Sequence, residues 1–198
     1  MQSSSFTWDN ESKTPRARRY AALAFVVVML AAGTLSGADQ DRQALARVRA
    51  QIGVFESVLN TSLNQNFPGP FAYLDRARGA YLPGYGVIFT CEINLTRPVA
   101  PFDTPVKAAE RNRPDDQAQR RAAAKTMSEK LLADFGHTFE SLAATESMAI
   151  VVHTAAATPQ GVDKGTLLVR AQKRDIDQFR ANTITREEFT HRLEVLEY

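Results

Sequence analysis

Residues 79–95 read Gly79-Ala-Tyr-Leu-Pro-Gly-Tyr-Gly-Val-Ile-Phe-Thr-Cys-Glu-Ile-Asn-Leu95, and the fold turns on this stretch. Val87, Phe89, Cys91, Ile93 and Leu95 alternate with Ile88, Thr90, Glu92 and Asn94. A period of two with one apolar series is the pattern of a half-buried strand, because successive side chains leave a strand on opposite faces. Just upstream, Leu82-Pro83-Gly84-Tyr85 carries Pro and Gly at the two central positions of a type II turn. Proline sets φ near the value the first position needs, and glycine accepts the positive φ of the second. Gly79 to Leu82 is therefore expected to pair back on the strand as a hairpin.

Upstream of the hairpin, Leu45, Val48, Ile52, Phe55, Leu59 and Leu63 recur at spacings of three and four, the stripe of an amphipathic helix. Such a stripe needs a partner surface, either the protein's own sheet or another copy of the helix. Pro68-Gly69-Pro70 ends it. Downstream, residues 97–114 hold Pro98, Pro101, Pro105 and Pro114 and read as a surface loop. Pro114 followed by Asp115 and Asp116 suits a helix start. The helix is expected to run to about Ala144, with Met127, Leu131, Phe135, Phe139 and Leu142 inside. Met148–Thr154 and Thr166–Gln172 read as two further strands around a loop with Pro159 and Gly161. Thr185-Arg-Glu-Glu188 is a capping box opening a C-terminal helix that faces Phe189, Leu193 and Leu196 inward.

The expected architecture is thus α+β: an antiparallel sheet from two hairpins with three helices, in the order α-ββ-α-ββ-α. Profilin-like and roadblock-like domains share that rhythm, an analogy of element order that carries no function.

The N-terminus has a different character. Lys13, Arg16, Arg18 and Arg19 precede an apolar run from Ala21 to Ala32, and Ser36 and Ala38 stand at −3 and −1 before Asp39. That order matches a signal peptide over residues 1–38, with a single α+β domain expected over 39–198. The uncharged stretch 20–38 is also long enough for an uncleaved inner-membrane anchor. Arg18-Arg19 hints at a twin-arginine signal, although Ala17, Ala21 and Ala22 depart from its usual flanks. The expected address is periplasmic or secreted.

The leader holds 4 of the 24 Lys+Arg and 2 of the 22 Asp+Glu, leaving 20 of each in residues 39–198. The basic pI is a leader effect, and a domain of zero net charge without basic clusters does not read as a nucleic-acid binder. A lone cysteine, Cys91, excludes an intramolecular disulfide.

The segment 79–89, with Asp134-Phe-Gly-His-Thr138 and the Asp175 to Phe189 region, resembles an uncharacterised group of exported bacterial proteins. The resemblance implies export and a shared fold and brings no activity with it.

Candidate chemistry is sparse. Asp134, His137 and Glu140 lie at helical spacing and offer a loose ligand set, or else a solvated helix face. Cys91 falls on the buried side of its strand, where a thiol acts as a small hydrophobe. Asp175 and Asp177 suit either acid–base work or the capping of a short helix through Phe179. No phosphate loop or nucleophile elbow is present, and no cofactor or metal is expected. Tyr73, Tyr81, Tyr85, Phe67, Phe71 and Phe89 crowd one region as core or as a recognition patch. Tyr81, Pro83, Gly84 and Tyr85 at the hairpin tip are the expected contact surface. The reading is a non-catalytic binding or structural protein of the cell envelope, whose partner is a protein or envelope component, with a homodimer open. The alternative is an extracytoplasmic hydrolase that assembles scattered carboxylates and histidines by folding.

Overall fold

The computed structural model describes residues 42–69, 72–96, 113–158 and 160–198. The leader and anchor readings, Phe71, Pro159 and positions 97–112 of the proline-rich segment lie outside the described residues. The chain divides into two units, Met1–Ala44 and Leu45–Tyr198, and the second carries the sheet.

Helix α1 spans residues 42–66. Strands β1 (Tyr73–Leu82) and β2 (Gly86–Asn94) follow, then α2 (Pro114–Phe135) with a 3-10 turn at Gly136–Thr138, and β3 (Ser147–Thr158) and β4 (Gly161–Gln172). The chain continues through α3 (Lys173–Arg180), α4 (Arg186–Arg192) and β5 (Glu194–Glu197). Among the described residues no helix is long and apolar enough to cross a membrane.

The α+β class holds, but the sheet is mixed where an antiparallel one was expected. Its strands lie in the order β1-β2-β3-β4-β5. Each hairpin is antiparallel, as are β4 and β5, whereas β2 and β3 run parallel from Gly86↔Ser147 to Asn94↔Ala155. The reason lies in the connection. The chain leaves β2 and returns to β3 through α2, a crossover long enough to bring it back to the same end of the sheet. Short turns fix the direction only inside each hairpin.

The inner face is built from rows that cross the strands: Val87, Met148, Ala171; Phe89, Ile150, Val169; Cys91, Val152, Leu167. All nine are buried. Helix α1 lays Val48, Ile52, Phe55, Leu59 and Leu63 into this core, as its periodicity predicts, so the stripe packs on the protein's own sheet. Phe55 lies 4.4 Å from Phe89 and 5.8 Å from Phe139 between ring centroids, and Phe89 and Phe139 are 5.9 Å apart. Gly79 on β1 makes room for this cluster, since a Cβ there would stand 2.6 Å from the Phe89 ring and 2.7 Å from Ile52. Helix α1 also closes the outer edge of β1. The Ala77 N–H donates to Asn60 Oδ1 at 2.9 Å and the Gly79 N–H to Glu56 Oε1 at 2.7 Å.

The tight turn forms as read, with Gly84 at φ +79° and the Tyr85 N–H donating to the Leu82 carbonyl at 3.0 Å. Three other expectations need correction. The second long helix stops at Phe135, because Gly136 opens a 3-10 turn; Phe139 and Leu142 still reach the core, from irregular backbone. The capping box does form, Glu188 N–H to Thr185 Oγ1 and Thr185 N–H to Glu188 Oε2. Its helix ends at Arg192, however, and Leu196 lies exposed on β5, where pairing with β4 overrides helical spacing. Finally, a separate helix, α3, raises the count among the described residues to four. It starts at Lys173 with Gln172 as an N-cap lacking a side-chain bond, so Asp175 is not its cap.

Candidate functional site

The groups on which a hydrolase would depend occupy different places. Asp134 lines a groove between α1 and α2 and pairs with Arg186 at 3.0 Å. Asp175 is buried in a polar pocket beside α3, where Arg192 donates to its Oδ1 at 3.0 Å and to Gln178 Oε1 at 2.7 Å. Asp177 is tied to Lys173 one turn back, whose side chain is almost fully buried. His153 stands on the outer face of the sheet beside Glu92 and Thr166, its Nδ1 3.3 Å from Thr166 Oγ1. The expected series Asp134, His137, Glu140 is broken by the end of α2, and among the described residues no three His, Cys, Asp or Glu side chains gather to hold a metal. Cys91 is buried, and burial pushes its thiol up to about 12, far from the thiolate a nucleophile requires.

The outer sheet face has a clear order of its own. One row runs Arg78, Thr90, Val151, Leu168, Leu196 across the five described strands. On one side lies Ala80, Ile88, Ala149, Arg170, Glu194; on the other, Glu92, His153, Thr166 and Tyr198. The middle is apolar and the flanks carry charge, with Arg170 paired to Glu194. Leu196 is 46% exposed and Tyr198 75%, while Val151, Leu168 and Ile88 are half-buried by their neighbours. Arg78, Ala80 and Thr90 are exposed as well, while Ala149 is buried between its neighbours, the pattern of a sheet with one largely solvated side.

The hairpin tip divides its two tyrosines between the faces. Tyr81 sits opposite Val87, packs against the core, and its O–H donates to Glu146 Oε1 at 2.8 Å. The Glu146 carboxylate, burial and the Glu146 charge together hold the phenol above its ordinary pKa of 10.0. Glu146 also accepts the Ala143 N–H at 2.8 Å, so Tyr81 belongs to a structural brace. Tyr85 goes the other way. Its ring lies 6.0 Å from the Arg170 guanidinium and adjoins the outer face. Pro83 and Gly84 are exposed between the two.

On the helical side, the groove of about 850 Å³ between α1 and α2 has a floor of Val58, Met127 and Leu131. Its α1 wall offers hydroxyls that already donate within the helix, Ser57 to the Gly53 carbonyl and Thr61 to the Ser57 carbonyl. This leaves a mostly neutral trough with Lys130 on its rim.

Sequence reasoning located the tip and the strand alternation. It missed the Arg192–Asp175–Gln178 network, the Tyr81–Glu146 brace and the edge closure by Glu56 and Asn60, since each joins residues that share no local pattern. No protein-family model matches this chain, and no curated relative or solved structure matches it either.

Proposed function

We propose that this chain is an exported, non-catalytic binding protein of the cell envelope, whose contact surface is the outer face of the sheet continued by Tyr85 and the Pro83-Gly84 tip. The observation that carries the reading is the row Val151, Leu168, Leu196, an apolar band continued by the Thr90 hydroxyl, flanked by Arg78, Arg170, Glu92 and His153 and adjoined by Tyr85. An apolar centre with a polar rim and an aromatic anchor is the anatomy of a protein-binding patch. The partner that fits is a protein presenting a complementary apolar strip. The hydrolase alternative has little to rest on, because Asp134, Asp175 and His153 line three separate pockets.

The test is paired substitution. Thr90→Glu with Leu168→Glu places one charge in the band and one at its end, on the side away from the core. The double variant should melt near the parent temperature and lose capture of its envelope partner, while Thr126→Glu in the α1/α2 groove should keep it. Capture unaffected by the first pair, or abolished by the groove variant instead, would refute the outer-face reading.

A further inference from the structure

The two edges of the sheet are treated differently. On β1, side chains of α1 take up the outward N–H groups of Ala77 and Gly79. On β5 nothing comparable is built among the described residues. Thr166 and Tyr198 exchange both backbone bonds, at 2.7 and 3.1 Å. The antiparallel ladder then alternates, so Leu168–Leu196 and Arg170–Glu194 are the next bonded pairs. Val195 and Glu197 therefore turn their N–H and C=O groups away from β4, and β5 is the last of the described strands of the sheet. An open strand edge is a template for one more strand.

We propose that the strand added there is β5 of a second copy of this chain, antiparallel and centred on Leu196. Self-pairing about Leu196 sets Val195 opposite Glu197 of the second copy, and these residues exchange both of their outward backbone bonds in each direction. The register is selected by side chains. Centring on Glu197 would place two carboxylates face to face, which is destabilising. Centring on Val195 would set Leu196 against Glu194. Centring on Leu196 sets leucine against leucine and lets the band Val151, Leu168, Leu196 run unbroken into the same band of the second copy. Glu194 enters already neutralised by Arg170. The contact is isologous and closes on itself, so it yields a dimer and no fibre. It stands independently of what the outer face binds.

The test uses protein purified from cells producing the full chain, with its N-terminus identified by mass. Light scattering across a dilution series should show a dimer. Val195→Pro removes an N–H that points away from β4, a position where an edge strand tolerates proline. Each copy loses one donor, and at roughly tenfold per bond the dissociation constant should rise about a hundredfold, with cooperative melting retained. Leu196→Lys and Leu196→Glu provide a second readout should the proline variant fail to fold. Each alone should be monomeric, and an equimolar mixture should form a heterodimer, because only this register puts residue 196 opposite itself. A parent protein that stays monomeric up to about 100 μM, a Val195→Pro dimer as tight as the parent's, or a Lys/Glu mixture that remains monomeric would each overturn the proposal.

Discussion

Gly84 and Gly86 sit two residues apart in the same turn, both at positive φ, and replacing each by alanine should have unequal consequences. Gly84 has φ +79°, and a Cβ there would meet nothing within 4 Å. Gly84→Ala therefore costs only the left-handed backbone, about 1 kcal/mol. Gly86 has φ +122°, and its Cβ would stand 1.9 Å from the Ser147 carbonyl oxygen and 2.7 Å from the Ser147 nitrogen. Backbone cannot swing aside as a side chain can. Accommodating the methyl means opening the first rung of the β2/β3 pairing, where Ser147 N–H donates to the Tyr85 carbonyl at 2.7 Å. A Gly-only conformation costs about 1–3 kcal/mol and a lost hydrogen bond about 1 kcal/mol, so Gly86→Ala should lose about 3 kcal/mol. For a chain of this size that is a fall of about 6–12 °C in Tm, against about 2–4 °C for Gly84→Ala. Urea unfolding followed by circular dichroism measures both. Equal losses in the two variants would show that the rung does not constrain Gly86, and the close approach of β2 to β3 would be wrong.

Four further outcomes are expected. The Cys91 thiol should react slowly with a water-soluble reagent in the native state and quickly in denaturant; fast native labelling would mean the β2 register is off by one. Cys91 is raised from 9.0 to about 12 and Tyr81 is raised too, so their stabilising effect is complete below the unfolded values and lost as pH climbs through the folded ones. Urea midpoints should accordingly drop between pH 9 and pH 12, with Cys91 contributing up to about 4 kcal/mol and Cys91→Ala giving a flatter slope; an unchanged slope would refute the assignment. Phe55→Ala should cost about 3–5 kcal/mol by emptying one side of the Phe55–Phe89–Phe139 cluster, and a loss under about 1 kcal/mol would mean the helix is not seated there. If residues 1–38 are a cleaved leader, as proposed, intact mass of the protein recovered from the envelope fraction should place its N-terminus at or near Asp39, and finding the full-length chain soluble in the cytoplasm would refute export.

What could be read from the sequence was local and periodic. The α1 stripe, the β2 alternation, the Pro83-Gly84 turn and the Thr185 capping box each rest on spacings of a few residues and each names its own geometry. The parallel join of β2 to β3 is not local, since nothing in either strand records which neighbour it will meet. The ends of α2 and α4 were overrun for a related reason. Phe139 and Leu142 keep helical spacing because they must reach the same core, and Leu196 keeps it by coincidence while β4 claims its backbone. For the candidate site, the tip was legible as a turn, but the destinations of Tyr81 and Tyr85 depended on Glu146 and Arg170, far along the chain.

The parallel seam has a kinetic consequence. Each hairpin needs only a short loop to close, and such units form within microseconds. Joining Phe89 to Ile150 requires the chain to close across α2 and everything around it before the pairing returns any stabilisation. The order of events that follows is two preformed hairpins and a late docking along β2/β3. Substitutions at Val87, Phe89, Met148 or Ile150, which also face partners in their own hairpins, should then slow folding only as far as those hairpins or the docked seam exist in the transition state. Changes confined to the β3/β4 hairpin, such as at Val169, should shift folding rate most if that hairpin is the nucleus.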